Sequence, residues 1–210
     1  MTSVALLGDS VFDNQAYTGG GPDVAAHLRD LVPEPWRVTL CAVDGTTTTS
    51  LGPQLERVPK HVEHIVLSLG GNDALGEADL LALPVRSTTE ALELFRERLN
   101  DFEQRYGWAL DAVIDLGCST TVCTIYDAPL GGGMAERAHT ALMMFNDVIL
   151  RQAVSRRVRV VELRLVCTTA EDFANEIEPS AAGGRKIARA LLRPLGLPGD
   201  TEGATVVTGA

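Results

Sequence analysis

Five short apolar runs recur along the chain, at Val4 to Gly8, Arg37 to Val43, His64 to Leu69, Thr120 to Tyr126 and Val158 to Leu165. They are bounded by turn residues, which is the pattern of strands buried on both faces. Amphipathic stretches lie between most of them. Pro22 stands in a first-turn position before the stripe Val24, Leu28, Leu31, and Ser87 with Glu90 has capping-box spacing ahead of Leu92, Phe95, Leu99, Phe102 and Tyr106. Gly107 is expected to interrupt that long helix, with Trp108 to Leu116 either continuing it or forming a second one that Gly117 ends. A further helix is predicted from about Met134 to Ser155, carrying Leu142, Phe145 and Ile149 on one face. The last is predicted from Ala181 to about Leu192, with Ser180 as N-cap and Pro194 as the stop. Residues Leu51 to Val58 carry the weakest helical pattern. Strands separated by helices imply a parallel sheet covered on both faces.

Composition narrows the class. With 210 residues, 45% of them hydrophobic and 22% charged, the chain is expected to form one domain over residues 1–196, followed by a flexible tail over 197–210 rich in Gly and Thr. A formal charge of −10 argues against a nucleic-acid partner, because phosphate-backbone binding draws on clustered Lys and Arg. Arg156-Arg157 and Arg185-Lys186 are isolated pairs. Cys41, Cys118, Cys123 and Cys167 have no metal-ligand spacing and read as reduced thiols beside strands. No apolar stretch approaches the roughly 20 residues that span a bilayer. The first strand starts too early for a removable signal peptide, so a cytoplasmic location is expected. No metal and no organic cofactor is indicated.

Candidate chemistry gathers where the first three strands end. Gly8-Asp9-Ser10 closes the first run, Val43-Asp44-Gly45 follows the second and Gly70-Gly71-Asn72-Asp73 follows the third. Open α/β sheets bind ligands at the carboxyl ends of their strands. The connections Asp13 to Gly21 and Ala74 to Arg86 are long for such folds and are candidates for a substrate wall.

These motifs, in this order and with a Pro-Ser-helix segment near the end, resemble the GDSL hydrolases, also called the SGNH-hydrolase family. The resemblance spans nearly the whole chain. It implies a three-layer α/β/α flavodoxin-like sandwich with a five-stranded parallel sheet, and a serine hydrolase acting on small-molecule carboxylic esters. By position, Ser10 corresponds to the nucleophile. Gly45 through its backbone N–H and Asn72 through its side-chain amide correspond to oxyanion-hole donors, with Ser10 itself completing the set. A glycine presents its N–H without a Cβ in the way, and a fixed amide donor contributes roughly 3 to 4 kcal/mol to transition-state stabilisation. The structural alternatives are a strand-end turn for Ser10 and a loop cap for Asn72.

The family's base and orienting acid come late, as D-x-x-H-P before the final helix. Here the segment reads Asn175-Glu176-Ile177-Glu178-Pro179-Ser180, so Glu178 stands where histidine is expected and Asn175 where aspartate is expected. An ionised Glu178 can accept the Ser10 proton, and burial would raise its pKa toward that of a useful acid. Asn175 would then orient Glu178 by hydrogen bonding. A carboxylate ahead of a helix N-terminus is also favourable without any catalysis.

The histidines offer little. His61 and His64 precede the third strand while Asn72 follows it, which places them near the opposite sheet edge at about 3.3 Å per residue. His27 falls within the first helix. Only His139, near the start of the helix after the fourth strand, is placed within range, and an exposed helical histidine is the plainer reading. Asp9, Asp13 and Asp172 are further carboxylates near the expected edge, with Asp9 better suited to holding its own turn.

Two functions compete at this stage. One is an esterase with Ser10, Gly45, Asn72 and Glu178 in the roles above. The other is a binding protein that keeps the pocket for a small acyl, sugar or carboxylate ligand and has lost turnover. Flavin or nucleotide binding is disfavoured, because Gly19-Gly20-Gly21 and Gly131-Gly132-Gly133 lack the spacing and placement of phosphate loops.

Overall fold

The computed structural model describes residues 2–131 and 135–198, and the backbone of Val206 and Val207. Five parallel strands, β1 (Ser3–Gly8), β2 (Arg37–Leu40), β3 (His64–Ser68), β4 (Ser119–Cys123) and β5 (Arg159–Val161), lie in the order β2-β1-β3-β4-β5. This is the flavodoxin-like order, whose direction reverses between β1 and β3. A two-residue strand β6 (Val206–Val207) pairs antiparallel with β5. The expected flexible tail otherwise falls mainly outside the described residues.

Helices cover both faces. Strand β1 alternates its side chains, sending Val4 and Leu6 to one core and Ala5 and Leu7 to the other. The first core is closed by α1 (Val24–Leu31) and α6 (Ala181–Leu192), through Leu28, Ile187 and Leu191. The second is closed by α4 (Thr88–Ile114) and α5 (Ala135–Ser155), through Phe102, Leu110 and Ile149. Two short helices, α2 (Gly52–Leu55) and α3 (Gly71–Gly76), follow β2 and β3. Ser87 and Ser180 cap α4 and α6 by accepting the N–H groups of Glu90 and Gly183, as their spacing predicts. Met134, the expected start of α5, lies outside the described residues.

Several boundaries differ from the sequence expectation, among them β4, which ends at Cys123 rather than Tyr126, and α1, which starts at Val24 behind an Asp23 cap rather than at Pro22. Helix α4 runs through Gly107 without a break, because a Cβ there would sit 3.1 Å from the Gln152 amide oxygen of α5. Glycine serves close helix packing at this position. Strand β2 stops at Leu40, since the Cys41 and Ala42 N–H groups both turn to Leu6 O, at 2.8 and 2.9 Å. Strand β5 stops at Val161, where Thr124 Oγ1 takes the Leu163 N–H at 2.9 Å and donates to Glu162 at 2.6 Å, leading into a 3-10 turn over Leu163–Leu165.

The strand end that matters most is Gly8. Its φ is +123°, and a Cβ would lie 1.7 Å from Ser68 O. Only glycine lets β1 pass this close to β3, and the Asp9 N–H then bonds Ser68 O at 3.2 Å. The residues after β1 and β3 are thereby forced to share one rim.

Candidate active site

Ser10, Asn72 and Glu178 line one cavity of about 300 Å³ at that rim. Ser10 follows β1, held by an Asp9 turn in which Asp9 Oδ1 accepts the Val11 N–H at 3.1 Å and Asp9 O accepts the N–H groups of Phe12 and Asp13. Ser10 is buried. Among the described residues no intramolecular acceptor takes the Ser10 or Gly45 N–H, so both donors remain available.

Gly45 adopts φ +78° and is exposed. It stands beside the cavity and is not part of its wall. Asn72 connects the two, because its Nδ2 donates to Thr46 O at 3.0 Å, leaving the second amide hydrogen free. Neighbouring Asp73 fixes the same loop, accepting from Thr48 N at 3.0 Å and Thr48 Oγ1 at 2.5 Å. Sequence reading gave Asp73 no role, although it sits in the motif after β3.

Gln54 is the more hidden support. Buried in α2, its Oε1 accepts the Gly8 N–H at 2.8 Å while its Nε2 donates to Gly8 O at 2.7 Å and to Thr46 Oγ1 at 2.9 Å. One side chain thus binds the strand that leads to Ser10 to the Gly45 loop. Nothing in the sequence marks it, since a lone glutamine in a weak helical pattern reads as solvated.

Glu178 reaches the cavity from the far end of the chain. Its loop is closed by a Phe173–Pro179 bridge and by the Ala174 N–H on Glu178 O at 2.8 Å. Tyr126 Oη donates to Ile177 O at 2.7 Å, and Asn14 Nδ2 donates to Pro179 O at 3.1 Å. Asn14 comes from the loop after Ser10 and is fully buried, so it ties the Ser10 loop to the Glu178 loop.

The Glu178 side chain is only 6% exposed, and its Oε2 has no hydrogen-bond partner. Burial raises its pKa above the ordinary carboxylate value, a hydrogen bond with the Ser10 hydroxyl pulls it part of the way back, and the Asp44 charge adds a further push upward. Asp9 is pushed up to about 7, chiefly by burial, against the Val11 hydrogen bond and with help from the Glu178 charge. The cavity is therefore lined by two carboxyls whose pKa values burial raises.

Asn175 does not orient the Glu178 carboxyl as expected. Its Oδ1 accepts the backbone N–H groups of Ile177 and Glu178, each at 2.9 Å, and its side chain is exposed. An asparagine that caps its own turn in this way sets the backbone entering Glu178 and leaves the carboxyl untouched. Asp172 is likewise structural, bonded to Lys186 at 2.7 Å and to the N–H groups of Thr168 and Thr169. Asp13 accepts the Asp44 N–H at 2.9 Å.

None of the four histidines lines the cavity. His139 Nε2 is 2.8 Å from Ala128 O and His27 Nε2 is 3.0 Å from Ala181 O. His64 stacks on Trp36 and His61 is exposed, both at the start of β3. The segment Ala74 to Arg86 does form a wall, through α3 and the 3-10 turn over Ala78–Ala82, while Asp13 to Gly21 contributes no wall residue. No cluster of metal-binding type and no helix long and apolar enough to cross a membrane occurs among the described residues. All four cysteines are free thiols.

With this geometry in place, comparison gives the lineage. The GDSL-like lipase/acylhydrolase family model matches residues 6–186. The chain belongs to that family. Its SGNH-hydrolase fold is shared with an acetylxylan esterase, Axe2 of Geobacillus stearothermophilus, at 18% identity over 94% of this chain and 95% of that one, with a TM-score of 0.68. An extracellular lipase of Streptomyces rimosus gives 18% identity over 93% and 99%, with a TM-score of 0.60. A G-D-S-L family protein of Veillonella parvula gives 16% identity over 90% and 94%, with a TM-score of 0.65. At such identities the structural likeness speaks for the fold alone. No curated protein matches the chain.

Proposed function

We propose that this member of the family is a serine esterase in which Ser10 attacks the carbonyl carbon of a small carboxylic ester and Glu178 serves as its base. The observation that carries this reading is the buried Glu178 carboxyl, which lines the same cavity as Ser10 and keeps an unpartnered oxygen there. Native proteins rarely leave a buried acceptor unpaired without a use for it.

The protons balance with one carboxylate. As the Ser10 Oγ–carbon bond forms, the hydroxyl proton passes to Glu178, and the carbonyl oxygen becomes an oxyanion facing the N–H groups of Ser10 and Gly45 and the Asn72 amide. Collapse breaks the ester C–O bond, and the protonated Glu178 returns its proton to the departing alkoxide. Water then repeats the cycle on the acyl-enzyme, with Glu178 taking its proton and Ser10 leaving. A pKa raised by burial suits Glu178 to both directions of transfer, while histidine would perform them nearer neutrality. The Asn175 turn and the Asn14 and Tyr126 bonds hold the carboxylate's loop in place.

The competing reading is a protein that binds a small acyl, sugar or carboxylate ligand without turnover; a carboxylate ligand sits poorly with a cavity already bearing Asp9 and Glu178. Turnover of p-nitrophenyl esters by the purified chain and its Ser10→Ala variant tests the proposal. Hydrolysis lost with the hydroxyl supports it; hydrolysis unchanged in Ser10→Ala refutes it.

A further inference from the structure

The cavity at Ser10 has two properties that bear on its ligand. Its body is walled by Leu69 after β3, Leu75 of α3, Leu81, Phe95 of α4, and Leu142 and Phe145 of α5. A two-carbon acetyl group would leave most of its roughly 300 Å³ empty. That volume is at the lower end of the roughly 300–1,000 Å³ of small-molecule pockets. The second property is charge. Asp9, Glu77, Glu176 and Glu178 line the cavity, and among the described residues no Lys, Arg or His does. Glu77 is paired with Arg98 at 3.0 Å, but Glu178 is buried without a cationic partner.

We infer that the cavity selects esters whose acyl group is apolar, several carbons long and free of negative charge, and that it rejects both acetyl esters and acyl groups ending in a carboxylate. This rests on Ser10 being the nucleophile. The acyl group remains bonded to Ser10 after the alcohol departs, so the enclosed apolar walls serve the acyl part. Each methylene buried in such walls favours binding by about fourfold. An anionic acyl terminus would be desolvated among carboxyls with no cation to receive it. Even Asp9, half protonated near neutrality at a pKa of about 7, gives such a terminus no fixed positive charge.

The test compares p-nitrophenyl acetate, p-nitrophenyl hexanoate and the p-nitrophenyl monoester of adipic acid, which has the hexanoyl length with a terminal carboxylate. The expected kcat/KM for hexanoate exceeds that for acetate by at least about tenfold and that for the adipate ester by at least about 100-fold. Leu142→Trp, and Ala141→Phe on the same wall as a second variant, should each lower the hexanoate-to-acetate ratio about tenfold. Acetate turned over as well as hexanoate, or the adipate ester as well as hexanoate, overturns the inference while leaving the esterase reading intact. Absence of Ser10-dependent turnover of every ester defeats the esterase reading instead. Calorimetry on the Ser10→Ala protein then decides the cavity separately: binding of hexanamide with no binding of adipic acid monoamide upholds the selectivity, and failure to bind hexanamide overturns it.

Discussion

Gln54 and Gly8 form a two-point clasp, amide oxygen to N–H at 2.8 Å and amide N–H to carbonyl at 2.7 Å, in which one side chain bonds both main-chain groups at the end of β1. Gln54→Leu fills the same space but strands the buried Gly8 N–H, at about 1–3 kcal/mol for an unpaired group, while Gly8 O keeps the Val43 N–H at 3.1 Å. Urea denaturation should show a loss of roughly 1–3 kcal/mol, accompanied by slower ester hydrolysis because the Gly45 loop loses the Gln54 bond to Thr46. Unchanged stability would mean that water replaces the clasp.

If Asn72 donates to the oxyanion, as proposed, its removal acts on kcat. Asn72→Ala deletes the free amide hydrogen and the bond to Thr46 O, and a fall of about 10²–10³ in kcat with little change in KM is expected. Steady-state kinetics on hexanoate esters reads this directly. An equal rise in KM at constant kcat would place Asn72 in ground-state binding.

Asp9 gives the protein a pH-dependent stability of unusual sign for a carboxylate. Its pKa in the fold, about 7, lies above the ordinary value of 3.8, so the folded state holds a proton that the unfolded chain releases earlier. The resulting stabilisation is complete below about 3.8 and is lost as pH rises through about 7. Asp9→Asn keeps the acceptor for the Val11 N–H and removes the titration. Its stability relative to the parent should grow between pH 5 and pH 8, by no more than about 4 kcal/mol. A constant difference across that range would contradict the burial of this carboxyl.

Catalysis should follow Glu178 in the opposite sense. The base acts ionised, so kcat/KM rises with pH as its proton leaves, with a midpoint above the ordinary glutamate value of 4.5 because burial outweighs the Ser10 hydrogen bond. Ionisation of Asp9 around 7 then adds negative charge beside the developing oxyanion, and the rate should fall again. Asp9→Asn should remove the falling limb of the pH–rate profile and leave the rising one.

The sheet and its layers were legible because buried strands and amphipathic helices carry their periods openly, as in Val4 to Gly8 and in the stripe from Leu92 to Tyr106. Boundaries were less legible where a single hydrogen bond decides them: Thr124 ends β5, and Leu6 O ends β2. Ser10 and Asn72 could be placed on one rim because short motifs at strand ends converge on one edge in a parallel sheet, and Glu178 only through the resemblance of the segment before the last helix; all three line the cavity. Gln54 and Asn14 could not, since their importance lies in bonds to Gly8 and Pro179 that exist only after folding. Asn175 shows the reverse error: its spacing from Glu178 suggested an orienting partner, yet asparagine satisfies its nearest backbone N–H groups first.

The base assignment is tested most directly by the rate at which an alkyl fluorophosphonate labels Ser10, followed by intact mass and peptide mapping, in the parent chain, Glu178→Gln and Glu178→His. If Glu178 takes the serine proton, Glu178→Gln labels slower by about 10²–10⁴, and Glu178→His restores labelling with a midpoint shifted toward histidine's ordinary pKa of about 6.5. Labelling of Ser10 at the parental rate in Glu178→Gln would contradict it.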